Sequence, residues 1–214
     1  MGKKTTAVEY ADFAEYDRRQ RGIERHVLTA FLGGLAVGMI GMLVSAKGPE
    51  LLWELYDPYA YLAAAIAVGA TATGFGWALL TTFLAAVSSL VAAMGTSALQ
   101  GRLHAETVGS GATELNVLLV LLVALGLLSY LTRHPGLWGD LAAGLVGAML
   151  IADVIDRSNP GFLDYEPGFW PVPALVIGTL SVAGVFLLRR RLLARLRSLA
   201  VTATLSAPLA LAVL

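Results

Sequence analysis

The chain contains no cysteine. That excludes disulfide cross-links, thiolate nucleophiles and cysteine-ligated metal, and leaves the redox compartment undetermined. Charge is nearly as scarce: 14% of the 214 residues are Asp, Glu, Lys or Arg, against about 25% in soluble domains. Acidic and basic residues balance at 15 each. The basic excess of a nucleic-acid binder is therefore missing, and no nucleic-acid partner is expected. There is no polar stretch long enough for a separate soluble domain, the longest being residues 1–25. Lysine is rare too, with Arg supplying twelve of the 15 basic residues. Together with abundant Ala, Gly, Val and Leu, this hints at a GC-rich bacterial genome.

What is present is apolar. Hydrophobic residues make up 57% of the chain, more than a soluble core of this size can hide, so lipid must solvate part of the surface. The pattern predicts an all-α, polytopic helical membrane bundle in the cell membrane. It has seven transmembrane segments and follows a cytoplasmic or interfacial N-terminal segment at 1–25. A spanning helix needs roughly 20 apolar residues. The expected spans lie near 27–46, 58–73, 75–98, 115–131, 137–155, 171–188 and 199–214, all within one membrane domain, 26–214. The first run is too long for the core of a cleavable signal and reads as a signal anchor. Residues 58–98 carry no charge, and the break between the second and third spans is expected at TATGFG, 71–76. The alternative is one long helix plus a re-entrant piece. The last run is short and holds Pro208, so it is either a span or an interfacial tail.

Arginine sets the expected orientation. With the N-terminus in the cytoplasm, Arg18, Arg19, Arg21, Arg25, Arg133, Arg189, Arg190, Arg191, Arg195 and Arg197 all lie inside, as the positive-inside rule requires. The loops at 47–57, 100–114 and 156–168 then lie outside, and each holds more acidic than basic residues. Residues 8–25 read as a helix that lies on the inner surface, contacts a cytoplasmic subunit or simply leads into the first span.

Helices in lipid meet through small residues and buried polar contacts. Three small-residue stripes are expected inside the bundle: Gly34 and Gly38, four apart, with Gly41 and Ser45 continuing the face; Ala85, Ser89 and Ala93; and Gly144, Ala148 and Ala152. Such faces also suit a protein partner or a homo-oligomer. The Leu- and Val-rich run 115–131 has few small residues and is expected on the lipid-facing perimeter. Ser88 and Ser89 are expected to bond a neighbouring helix.

Two acids, Asp140 and Asp153, intrude on the fifth span. A carboxylate at such a depth costs on the order of 2–3 kcal/mol unless paired or hydrated. Asp156 follows on the same face, and Asp164 and Glu166 in the next loop can fold back toward them. Asp153 and Asp156 are therefore the catalytic candidates, and Asp153, Asp156, Asp164 and Glu166 the candidate oxygen ligands for a divalent cation such as Ca²⁺ or Mg²⁺. The plainer reading is a helix end emerging into water beside Arg157. No other cofactor is expected. His26, His104 and His134 fall on both sides of the membrane and form no single site. No nucleophile elbow or His-Glu-x-x-His motif occurs.

The stretch GSGATELN at 109–116 resembles a fragment of the Gly-rich phosphate-contacting loop of the bacterial acyl-phosphate glycerol-3-phosphate acyltransferases. The likeness covers fewer than ten residues, lacks the family's spacing and has no second Gly-rich loop beside it, so it assigns no family. As chemistry, it is a possible anion contact at a helix start; as structure, a loop capping the fourth span.

Three functional classes follow. The first is a non-catalytic subunit or scaffold of a membrane complex, favoured by the thin polar inventory. The second is a small transporter or channel component. The third is a lipid-active membrane enzyme with a carboxylate site at its outer surface.

Overall fold

A computed structural model of the chain describes residues 4–99, 112–162 and 164–212. Residues 109–111 of the Gly-rich stretch, together with His104, lie outside the described residues, and 112–116 open a helix. The described chain is helical, with one isolated bridge between Pro160 and Phe162 and no strand. Eight helices are described: α1 (Lys4–Lys47), α2 (Glu50–Tyr56), α3 (Tyr59–Thr71), α4 (Phe75–Leu99), α5 (Ala112–Leu131), α6 (Leu137–Ser158), α7 (Val172–Leu188) and α8 (Leu192–Ala212). Three stretches are long and apolar enough to cross a membrane: Glu15–Lys47 of α1, Phe75–Thr96 of α4 and Leu137–Ser158 of α6. Leu115–Leu131 of α5 and Val172–Leu188 of α7 are apolar but shorter.

Several elements depart from the sequence expectation. The helix expected at 8–25 runs on into the first span without a break, so α1 is one helix of 44 residues, about 66 Å long at 1.5 Å per residue. No Pro or Gly lies between Ile23 and Leu32 to break it. The break between the second and third spans does fall within 71–76, at 72–74. However, α3 has only 13 residues, a rise of about 20 Å, short of a hydrocarbon core of about 30 Å. Pro58, lacking an N–H, fixes its start. The last helix begins at Leu192 rather than 199 and so takes in Arg195 and Arg197. The loop expected from 156 starts later, since α6 runs to Ser158.

Small residues do carry the closest helix contacts. A Cβ built on Gly34 would fall 2.3 Å from the Ala85 carbonyl oxygen, and one on Gly38 2.1 Å from that of Ser89, so α1 lies directly on α4 along the two expected stripes. On α6, Gly144 meets Val201 and Gly147 meets Thr202 of α8. Polar contacts reinforce this seam: the Ser198 hydroxyl donates to the Asp140 carbonyl at 2.9 Å and that of Thr202 to the Gly144 carbonyl at 3.0 Å. Ser88 and Ser89 instead bond carbonyls of their own helix, at Ala85 (3.0 Å) and Ala86 (2.8 Å). A serine hydroxyl in a helix reaches the carbonyl a turn back more readily than a neighbouring chain.

The expected perimeter position of the fourth apolar run is not what forms. In α5, Leu122 and Leu125 are each 1% exposed and Ser129 is fully buried. The reason is Gly126: its carbonyl abuts Gly69 of α3, and its Cα side abuts Thr82 of α4. One glycine seats α5 against two helices, and the core forms around it from Leu62, Ala65, Ala86, Leu122, Leu125, Val146 and Ile177. Among the described side chains of α5, Asn116, Val117 and Val120 stay exposed.

Candidate functional site

The ends of the helices form two polar clusters. At the end shared by the starts of α3 and α7 and the close of α6, the centre is Arg157. Its Nε lies 3.2 Å from Asp153 Oδ2, one turn back on α6, and its Nη1 lies 2.8 Å from Glu166 Oε1. Four-residue spacing puts Asp153 and Arg157 side by side on the helix surface. The Tyr59 hydroxyl, from the first residue of α3, donates to the same Asp153 oxygen. The Tyr59 and Phe169 rings stack at 6.2 Å, and the Arg157 guanidinium lies 5.9 Å from each ring centroid, within cation–π range. The Glu166 N–H donates to the Arg157 carbonyl at 3.0 Å. This folds the loop after α6 back over the helix end and drives Phe169 fully into the core.

The expected site residues divide into two groups. Asp153 and Glu166 come together through Arg157, which stands between them. Asp156 is buried and lies against the backbone N–H of Asp164. The four carboxyls do not converge on one point, and among the described residues no three His, Asp or Glu side chains are grouped to hold a metal ion. Asp153, Asp156 and Asp164 do share something else: all three line the mouth of a pocket of about 390 Å³ whose walls are Leu62, Leu118, Leu121, Leu125, Met149 and Leu150. An apolar cavity with a carboxylate rim suits an amphipathic ligand with a cationic or hydrogen-bond-donating head.

Two acids of the preceding connection complete this end. Burial lifts the Asp57 carboxyl above its ordinary range, with Arg157 opposing and Glu166 and Asp153 adding to the rise. Burial also lifts Glu54, helped by Glu50 and Glu166. In the linear chain Glu54 and Asp57 belong to the acidic loop 47–57 and Tyr59 to the start of the second apolar run, and no motif pairs them with Asp153. Their signal was depth: Tyr59 opens one apolar run and Asp153 closes another at the same level.

The opposite cluster sits where α5 turns into α6 and α7 into α8. Asp140, only 3% exposed, pairs with the Arg189 guanidinium, and Arg197 Nη1 stands 3.7 Å from its other oxygen. Arg189 also donates to the carbonyls of Thr132, His134 (3.1 Å) and Gly136 (3.4 Å). One side chain thus neutralises the buried acid and ties down the α5–α6 turn. Arg133 donates to the Ala72 carbonyl, joining that turn to the end of α3. On α1, His26 lies 3.4 Å from the Thr81 hydroxyl of α4. His134 meets the Tyr130 ring edge-on. No family model matches the chain, and no curated protein or solved structure is measurably similar to it.

Proposed function

We propose that the chain is an integral protein of a bacterial cell membrane, with seven apolar segments in the bilayer and the N-terminus in the cytoplasm. In this reading it works as a non-catalytic subunit or scaffold of a membrane complex. The observation that carries the reading is α1. In its most apolar stretch only 22% of residues are buried, against 50% for α6. The helix is held by its seam on α4 and by Tyr56 and Tyr61, which pack at Gly41, while Leu28, Leu32, Met39, Ile40 and Leu43 stay exposed. The described side chains between Phe13 and Arg25 are exposed, Phe13 and Tyr16 among them, apart from a half-buried Ile23. An uncovered helix of this kind offers one face to lipid and another to a second protein or a second copy. Support also comes from the charged groups, since Asp140, Asp153 and Arg157 are all engaged in joining elements. The orientation rests on the arginines at the α5–α6 and α7–α8 turns and before the first span.

The test is extraction of the full chain in mild detergent, with its mass measured by light scattering. A stoichiometric partner or a second copy is expected, and it should be lost on Phe13→Asp/Tyr16→Asp substitution. A clean monomer would count against the proposal. A second reading, a lipid-active membrane enzyme with an outer-surface site, is favoured by the carboxylate-rimmed pocket at Asp153, Asp156 and Asp164. A lipid substrate turned over by the wild type but not by Asp156→Asn would replace the first reading with this one.

A further inference from the structure

At the arginine-bearing end lies a pocket of about 500 Å³ lined by Arg133, Arg189, Arg190 and Arg191 and by no acidic side chain. Two of the four arginines are partly committed. Asp140 neutralises Arg189, which also binds backbone carbonyls, and Arg133 uses one nitrogen on the Ala72 carbonyl. Arg190 and Arg191 are exposed and make no ion pair among the described residues. Three guanidiniums therefore remain without a counter-charge around one cavity. Guanidinium forks match phosphate oxygens in pairs.

This pocket does not close at its apolar side. Ala70, Leu187 and Leu188 line it and also line a groove of about 280 Å³ between α3, α6 and α7. The groove runs along α3 from Ala70 to Tyr59 and along α7 from Leu188 to Ile177. That is about eleven residues on each helix, or about 16 Å. Half of a hydrocarbon core of about 30 Å is about 15 Å, so an acyl chain one leaflet long fills the groove as far as its other end at Tyr59, beside Asp153. A free phosphate would use only the basic end. A molecule with a phosphate at one end and an apolar chain one leaflet long uses both.

We infer that this continuous pocket and groove binds one anionic phospholipid, its phosphate held by Arg133, Arg190 and Arg191 and one acyl chain lying between α3 and α7. The inference rests on the membrane reading above. Basic pockets between helices at the cytoplasmic side meet the anionic leaflet, where each nearby arginine adds attraction.

The experiment is native mass spectrometry of the full chain in detergent, titrated with phosphatidylglycerol or with phosphatidylcholine of the same chain length. One phosphatidylglycerol should be retained in preference to phosphatidylcholine, by on the order of tenfold or more. Arg190→Gln/Arg191→Gln should abolish the preference. Gly184 lies in the groove and an added Cβ there meets no atom within 4 Å. Gly184→Leu should therefore displace both lipids without lowering the melting temperature. Equal retention of the two lipids, or an undiminished preference in the double arginine variant, overturns the inference. Displacement by glycerol phosphate as effective as by lipid overturns it in favour of a soluble phosphate. Alkaline carbonate extraction separates the two claims. A chain released by carbonate refutes the membrane reading; a chain that stays in the pellet without a phosphatidylglycerol preference refutes the lipid site alone.

Discussion

Gly33 and Gly34 are neighbours on α1, and replacing each by alanine should move stability in opposite directions. A Cβ on Gly33 meets nothing within 4 Å; on Gly34 it would lie 2.1 Å from Ser88 Oγ and 2.3 Å from the Ala85 carbonyl oxygen. The Ser88 hydroxyl can rotate away, but the carbonyl is fixed in α4. Carbon–oxygen contacts settle at roughly 3.3–3.6 Å, so α1 must retreat by about 1 Å. A gap of that size forfeits a quarter to a half of each dispersion contact along the seam, and overpacking of this kind costs about 1–3 kcal/mol. Alanine gains up to about 1 kcal/mol over glycine in a helix interior. Gly33→Ala should therefore raise stability by about 0.5–1 kcal/mol, and Gly34→Ala should lower it by about 1–2 kcal/mol. At about 2–4 °C per kcal/mol for a chain of this length, the two melting temperatures should fall on either side of the wild type and differ by roughly 5–10 °C. The assay is thermal unfolding of the full chains in one mild detergent, followed by far-ultraviolet circular dichroism. Equal shifts in the same direction would refute the reasoning, since they would mean that α1 does not rest on Ala85.

Asp140→Asn and Arg189→Gln should each destabilise the chain by about 3–5 kcal/mol, because each strands a buried charge. The double variant should lose less than the sum, and additive losses in a double-mutant cycle would dissolve the latch. Asp153→Asn keeps an acceptor for the Tyr59 hydroxyl but weakens the contact with Arg157, so a loss of about 1–2 kcal/mol is expected in the same melts; Asp153→Leu should lose more, and a neutral Asp153→Leu would leave the carboxylate without a structural role. The raised Asp57 carboxyl means that the folded chain holds this proton more tightly than the unfolded chain does. Its contribution to stability is complete below the ordinary carboxyl range and fades as pH rises through the folded value. Glu54 acts with the same sign. Asp57→Asn should flatten the decline in melting temperature between about pH 4 and pH 7, and an unchanged slope would show that Asp57 is not buried.

The seams and the intruding acids were readable in the chain because each is a local signal. Gly34 and Gly38 stand four apart in an apolar run, and a carboxylate at position 140 or 153 contradicts its surroundings. Their partners were not readable. Tyr59 lies 94 residues from Asp153, and nothing in a linear pattern says which apolar run lies beside which. The same gap hid α5: its Leu and Val run has the composition of a lipid-facing helix, and the contacts of Gly126 with Gly69 and Thr82 that bury it have no spacing to announce them. The continuity of α1 was within reach, since residues 23–32 hold no breaker.

That continuity has a mechanical consequence. From Phe13 to His26, where the packing on α4 begins at Thr81, is about 20 Å of unbroken helix, so α1 is a lever whose pivot is its seam on α4. A tilt of about 5° at the pivot carries Phe13 sideways by about 2 Å, more than any displacement within the seam itself. Anything that grips the tip of α1 would turn the part of the helix beside α4, and any change in the packing of α1 on α4 would be magnified at the tip.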